Sequence, residues 1–422
     1  MLRFLLIVAV ALGLSGRTTA QNTPASQTFQ AYCTRQSADI KQLTDTKQYS
    51  QALAKYADWH RAYDQLDPAT RQTFSGLPAS LYYNEACYHS LAKDRTGAVQ
   101  AFRQAVGAGY KNYSHALVDT DLDYVRGDKE FKQQMALIRS KGDYRYILQQ
   151  AQGYAPRSTA QLPAFTYQAA SEPQLMALRR QYKLDSIAGA GNDVSQVINL
   201  MHWVHNRIPH DGNHENPALR NAQDLLTVCR QDSRGLNCRG LATVLNEVYL
   251  AMGFQSRFVG CLPKDTTDVD SHVINSVYVP SQRKWLYMDP TQNAYVMNEQ
   301  GKLLSIGEVR QRIINGQPLL LNPTANWNNK VTAIKEEYLD QYMAKNLYQL
   351  ERPADSQRDL ETRREGKIIH YVRLVPAQAF DSNHAIRTSK GKTTTIITHY
   401  TTDADAFWQS LAGSGPSAQQ AH

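Results

Sequence analysis

Apolar residues recur along this chain with two different periods, and the change from one to the other divides it. From about residue 30 to 140 they fall at three- and four-residue steps, which predicts helices. Within that stretch Ala52 and Tyr56 stand four apart, and Ala98 and Phe102 repeat the pair one segment later. A small residue followed by a large one at that spacing lets two helices approach closely while an aromatic ring fills the space between them. Gly107-Ala108-Gly109 reads as a helix stop. Over Gly153–Pro163 the period is lost among Gly153, Pro156, Ser158, Thr159 and Pro163, a linker composition. A helical stripe resumes at Val194, Val197, Ile198, Met201, Val204 and Ile208, and Pro209 ends it ahead of the polar loop His210–Asn216. A second helix runs from Arg239 to Met252 on Leu241, Val244, Leu245, Val248 and Met252, with Gly253 as its stop.

After that helix the pattern turns to strands: Ser256–Leu262, Ser271–Val279, a turn at Pro280–Lys284, and Trp285–Asp289. Two further strand-like runs, Ile368–Val375 and Thr393–Thr401, precede a Gly/Ser/Ala/Gln tail expected to be flexible. The order predicts an α+β protein with four parts. These are an amino-terminal segment (1–20), a helical repeat-like domain (21–150), a mixed domain (160–350), and a short β-rich extension with its tail (351–422).

Composition changes this picture little. Charged residues at 20% and hydrophobic residues at 42% are ordinary for a globular protein. The first twenty residues stand apart: Arg3, then the apolar run Leu5–Leu14, then Thr18-Thr19-Ala20. A basic start, a short apolar core and a small-residue exit are the order of a secretory signal, so the expected location is exported, periplasmic or secreted. The run is short for a membrane span, and no later stretch holds eighteen uninterrupted apolar residues, so no span is expected after signal cleavage. The net charge of +8 is scattered in pairs such as Arg179-Arg180 and Arg363-Arg364, whereas a nucleic-acid partner calls for a concentrated basic face.

The five cysteines are Cys33, Cys87, Cys229, Cys238 and Cys261. In an oxidising compartment an odd count leaves one thiol unpaired within the chain. The most local pairing joins Cys33 to Cys87 and Cys229 to Cys261, leaving Cys238; four reduced, packed thiols are the other arrangement.

Cys238 opens a predicted helix, where free backbone N–H groups and the helix dipole favour a thiolate and can face the oxygen of a tetrahedral intermediate. His272 begins a strand whose hairpin partner ends at Asp289, so antiparallel pairing brings the two within a residue or two of each other. A carboxylate there fixes the imidazole tautomer, leaving the other ring nitrogen for the sulfur. Cys238, His272 and Asp289 are therefore the candidate nucleophile, base and orienting acid. Asn206, His210, Asp211, Asn237 and Trp203 are the candidate substrate-binding residues, the first three as loop-side contacts. The group His202, His205, His210 and His214 lacks the ligand spacing of a structural zinc site, so neither a metal nor any other cofactor is expected.

Three motifs carry a family resemblance. Gly235-x-x-Cys238-x-Gly240-x-Ala242 heads a helix, Met252-Gly253-Phe254-x-Ser256-Arg257-Phe258-Val259-Gly260 follows, and Trp285-x-x-x-Asp289-Pro290-Thr291 closes the set after His272. Over roughly 165–350 the chain resembles the transglutaminase-like superfamily. The resemblance implies a papain-like helix-plus-sheet core with a Cys-His-Asp triad on the same three residues. Family members often carry an aromatic two residues after the histidine; here the residue is Ile274. Further upstream, Ala86, Ala98, Phe102 and Ala105 resemble a short tetratricopeptide-like array, although a plain helical bundle carries the same alanine spacing.

The expected function is acyl transfer on a peptide or amide bond through a Cys238 thioester, with a peptidase or amidase favoured over a cross-linking transamidase. A protein or peptide is the expected substrate, and a protein partner is expected on the repeat-like helices. The alternative is a non-catalytic module of the same fold that assembles surface or periplasmic proteins. Nucleic acid is not among the expected partners.

Overall fold

The computed structural model describes residues 23–151, 153–154 and 162–408. The signal-like segment 1–20, most of the linker-like stretch and the tail from 409 onward lie outside the described residues. The chain divides into two compact units, 1–147 and 148–422.

The first unit is helical. Its longer helices are α1 (Pro24–Asp45), α2 (Tyr49–Asp64), α3 (Leu77–Leu91), α4 (Arg95–Gly107) and α5 (Lys129–Gly142). Short polar residues start several of them. Asp94 accepts from Gly97 N at 3.0 Å ahead of α4, and Asp128 accepts from Glu130 N at 2.8 Å ahead of α5. Each cap satisfies a donor that the first helical turn leaves unpaired. Ala52 and Tyr56 are buried in one apolar cluster, and Ala98 and Phe102 in another, where Phe102 meets Phe131 with ring centroids 4.5 Å apart. Burial of a side chain such as Phe102 contributes about 1.5–3 kcal/mol. Cys33 lies in the first cluster and Cys87 in the second, and all five cysteines are free, so neither pairing considered from the sequence is formed.

The second unit packs helices on a mixed sheet. Its helices α6 (Asp193–Arg207), α7 (Ala222–Gln231) and α8 (Cys238–Ala251) share one apolar core. Val197, Met201 and Val204 of α6 meet Leu241, Val244, Leu245 and Val248 of α8 there, the two stripes expected from the periodicity. Every residue of α8 from Gly240 to Ala251 is buried, because its other face lies on the sheet. A helix apolar nearly all round belongs in the middle of a unit. Asn275 ties the two layers by donating from Nδ2 to Ala242 O at 2.9 Å.

The sheet has seven strands: β1 (Ser256–Leu262), β2 (His272–Val279), β3 (Lys284–Met288), β4 (Gln349–Pro353), β5 (Lys367–Leu374), β6 (Ile386–Lys390) and β7 (Thr394–Thr401). Their spatial order is β6-β7-β5-β4-β1-β2-β3. All neighbours are antiparallel except β5 and β7. The carboxy-terminal strands thus extend the same sheet through β4, which pairs with β1 at Gly260↔Glu351. No helix among the described residues is long and apolar enough to cross a membrane.

Candidate active site

Asn237 starts α8. Its backbone is extended (φ −73°, ψ 173°), and its side-chain oxygen accepts from Gly240 N at 3.1 Å. Cys238 is the first helical residue, so its own N–H and that of Arg239 have no intrahelical acceptor. Two glycines of the sequence motif owe their identity to crowding around this helix start. A Cβ on Gly235 would lie 2.2 Å from Pro209 O, and one on Gly240 would lie 2.7 Å from Asn216 Oδ1. The close approach at Gly235 lets residues 209–211 run beside 235–237: Leu236 N donates to Pro209 O at 3.1 Å, and Asp211 N to Leu236 O at 2.7 Å. That pairing carries His210 to the thiol.

The hairpin β2–β3 supplies the other partners. Its register sets Asn275 opposite Met288, so Asp289 falls diagonally across from His272 on the same face. His272 Nε2 lies 2.7 Å from Asp289 Oδ2, with His272 only 2% and Asp289 0% exposed. Asp289 is held on every side. Its Oδ2 also accepts from the Tyr338 hydroxyl at 2.6 Å, and its Oδ1 accepts from Thr291 N at 2.8 Å and Gln292 N at 3.3 Å. Burial works to raise the Asp289 pKa, but the facing His272 and these donors hold it below the usual carboxylate value.

His272 responds in the opposite sense. Burial would lower its pKa, yet the Asp289 charge and hydrogen bond raise it to about 10, with Cys238 adding to the effect. At Cys238 burial favours the neutral thiol, but hydrogen bonds from His210 and His272 and their charges bring its pKa down to about 6. Cys238 is half-buried as a residue, and both imidazoles bear on its thiol. With Nε2 of His272 taken by Asp289, Nδ1 is the nitrogen left for the sulfur. The indole N–H of Trp327 donates to His210 Nδ1 at 3.4 Å. An indole nitrogen only donates, so in the neutral ring Nδ1 is the accepting nitrogen of His210 and Nε2 carries the hydrogen. Asn328 clamps the His210 backbone, accepting from its N at 2.6 Å and donating to its O at 3.0 Å.

The remaining candidates are dispersed. The Asn237 side-chain oxygen is occupied by the helix cap and by Asn216 Nδ2 at 2.7 Å. Trp203 packs on the helical core, edge-on to Tyr182 with centroids 5.6 Å apart. Asn206 is exposed, and Asp211 folds its own loop by accepting from Asn213 N at 2.9 Å. His205 has Nδ1 on Pro290 O at 2.9 Å and Nε2 on Asn326 Oδ1 at 3.0 Å, and His202 faces Asn293. No group of three or more His, Cys, Asp or Glu suited to a metal ion occurs among the described residues.

Tyr338 and Tyr342 were not anticipated. They lie in the wide-turn helix Glu336–Met343, where Tyr338 reaches Asp289 and the Tyr342 ring sits edge-on to His272 with centroids 5.3 Å apart. The only sequence signal for them is their four-residue spacing, which does not point to a partner far upstream.

Residues 180–290, which include Cys238, His272 and Asp289, match the family model of the Transglutaminase-like superfamily, and form a transglutaminase-like core. No curated protein matches the chain. A solved crystal structure described as "a Putative Cysteine Protease from Cytophaga hutchinsonii" is similar at 18% identity, with a TM-score of 0.23. The similarity covers 31% of this chain and 40% of that one, so the chain spans less than half the length of the protein it matches.

Proposed function

We propose that the second unit is a thiol acyl-transfer enzyme that cleaves a peptide or amide bond through a Cys238 thioester. The observation that carries this reading is a thiol on the first residue of a helix, lowered in pKa by two imidazoles, one of them locked by a buried carboxylate. In the first step the Cys238 thiolate attacks the amide carbonyl carbon. The new C–S bond moves an electron pair to the carbonyl oxygen. In this reading the N–H of Cys238, free at the helix start, and the ring N–H of His210 donate to that oxyanion. As the intermediate collapses, the C–N bond breaks and His272 gives its proton to the departing nitrogen. Water, losing a proton to His272, then attacks the thioester, and the acid leaves as the thiol is restored. Asp289 keeps the imidazole oriented throughout.

In this reading the protein is exported to the periplasm or secreted, a location supported by the basic, apolar and small-residue sequence of its first twenty positions. The first unit is read as a tetratricopeptide-like module that holds a protein or peptide partner, supported by its paired Ala/aromatic helices.

The test is alkylation by iodoacetamide at pH 7, followed by peptide mass mapping. Cys238 is expected to react faster than Cys33, Cys87, Cys229 and Cys261, and His272→Ala is expected to slow it at least about tenfold. Equal, slow labelling of every thiol in the folded protein overturns the enzyme reading in favour of a non-catalytic binding module.

A further inference from the structure

The residue after the thiol begins a cluster that the chemistry above does not use. Arg239 Nη1 donates to Glu361 Oε1 at 3.1 Å, and its ring-facing side stacks against Phe258 and Tyr371, 5.9 and 6.0 Å from their centroids. Arg220 and Arg363 approach the other oxygen of Glu361 at 3.7 and 3.8 Å, too far for hydrogen bonds. Glu361 is fully buried, whereas the Arg220, Arg239 and Arg363 side chains keep 19%, 28% and 28% of their surface exposed. One carboxylate therefore faces three guanidinium groups. The next carboxylate, Glu351, lies 4.0 Å from Arg239 and is already engaged by Arg373 at 2.9 Å. Burial pushes the Arg220 pKa down, and the charges of Arg363 and Arg239 push the same way against Glu361, whereas Arg239, bonded to Glu361, is raised.

Arg220 Nε is taken by Pro217 O at 3.0 Å, but the Nη groups of Arg220 and Arg363 stand beyond hydrogen-bond distance of Glu361, and the planar guanidinium fork fits a carboxylate. The position is also informative. Cys238 packs against the apolar patch of Phe258, Val273, Ile369 and Tyr371, and Arg239 lies over two of the same rings. The thiol and the cluster share one floor.

We propose that Arg220, Arg239 and Arg363 form a carboxylate-binding subsite beside Cys238, so that the substrate is a peptide bearing a carboxylate next to the bond that is cleaved. The inference rests on the thiol reading above and deepens it by giving the substrate class. The carboxylate belongs either to a free chain terminus or to an acidic side chain, and the same guanidinium groups serve both.

The test compares two alkylating reagents of nearly equal size on the full chain: iodoacetate, an anion, and iodoacetamide, which is neutral. The readout is the ratio of their rate constants at Cys238, relative to free cysteine in the same buffer. The ratio is expected to exceed that of free cysteine by about tenfold at low salt and to collapse in about 1 M salt, where screening acts over about 3 Å. Arg363→Gln and Arg220→Gln are each expected to lower it several-fold. The helix start and His272 are common to all these proteins, so a change on arginine substitution isolates the guanidinium groups. Two partly exposed positions are varied separately, so loss of folding in one leaves the other informative, and circular dichroism monitors both.

A second arm measures protection of Cys238 from iodoacetamide by short peptides. Protection by a peptide with a free carboxy terminus, lost on amidation, assigns the subsite to a terminal carboxylate. Protection by an amidated peptide containing aspartate, but not by its asparagine counterpart, assigns it to a side chain. A fast iodoacetamide reaction with a ratio equal to that of free cysteine, insensitive to both substitutions, overturns the subsite while leaving the nucleophile intact. Slow reaction with both reagents overturns the thiol reading itself.

Discussion

Around the Cys238 sulfur, burial and hydrogen bonding oppose each other, and hydrogen bonding prevails. The thiol falls to about 6 while His272 rises to about 10, so both partners are ionised between those values. The alkylation rate of Cys238 is therefore expected to climb with a midpoint near pH 6, well below the ordinary thiol range. Because His210 is the first of the two imidazoles lowering that value, His210→Ala should move the midpoint upward without abolishing the dependence on His272. Alkylation rates measured from pH 4 to 9 give both curves, and coincident midpoints would show that His210 does not bear on the thiol. The sequence assigned His210 to the loop near the cleft but not to the sulfur. The missing link is the backbone pairing of Pro209 and Asp211 with Leu236, which depends on Gly235 having no side chain.

Among the elements, the β2–β3 hairpin was the most legible, because its two titratable residues are close in sequence and antiparallel geometry alone relates them. The helix Cys238–Ala251 was legible as well, from its stripe and its terminal Gly253. The wide-turn helix Glu336–Met343 was not. Its Tyr338 meets Asp289 from 49 positions away, and Tyr342 provides against His272 the aromatic that the strand, with Ile274, does not. Wide turns of this kind shift side chains out of the α-helical phase and are found frequently at functional sites. Tyr338→Phe retains the ring and removes one donor to a buried carboxylate, a bond worth about 1.5–3 kcal/mol. It should slow alkylation at pH 7 by about tenfold, through a less firmly oriented His272, while the circular dichroism spectrum stays unchanged. An unchanged rate would mean that the Thr291 and Gln292 N–H groups suffice to hold Asp289.

On the scale of the whole second unit, the sequence pattern predicts a division near residue 350, yet the sheet runs straight across that position. Strand β4 was missed because Gln349-Leu350-Glu351-Arg352-Pro353 carries two charges and a proline, the marks of a loop. Its charges are absorbed locally: Glu351 takes Arg373, and Arg352 lies 4.7 Å from the Phe165 ring centroid and donates from Nε to Phe407 O at 2.5 Å. Leu350, fully buried, faces Cys261 of β1, whose neighbour strand β2 begins with His272. A chain ending at residue 350 therefore loses the strand that covers the edge of β1, together with Glu361 beneath Arg239. That truncation leaves Arg239 without the buried carboxylate it is bonded to and opens an apolar sheet edge to pairing with other chains. The shortened protein is expected to aggregate or to unfold without cooperativity, with Cys238 labelling no faster than the other thiols. A chain ending at residue 408 preserves every one of these contacts and should melt cooperatively with Cys238 still reactive. Equal thermal melting and equal thiol reactivity for the two truncations would show that the region before 350 forms its sheet and site alone, and that β4 to β7 only decorate its edge.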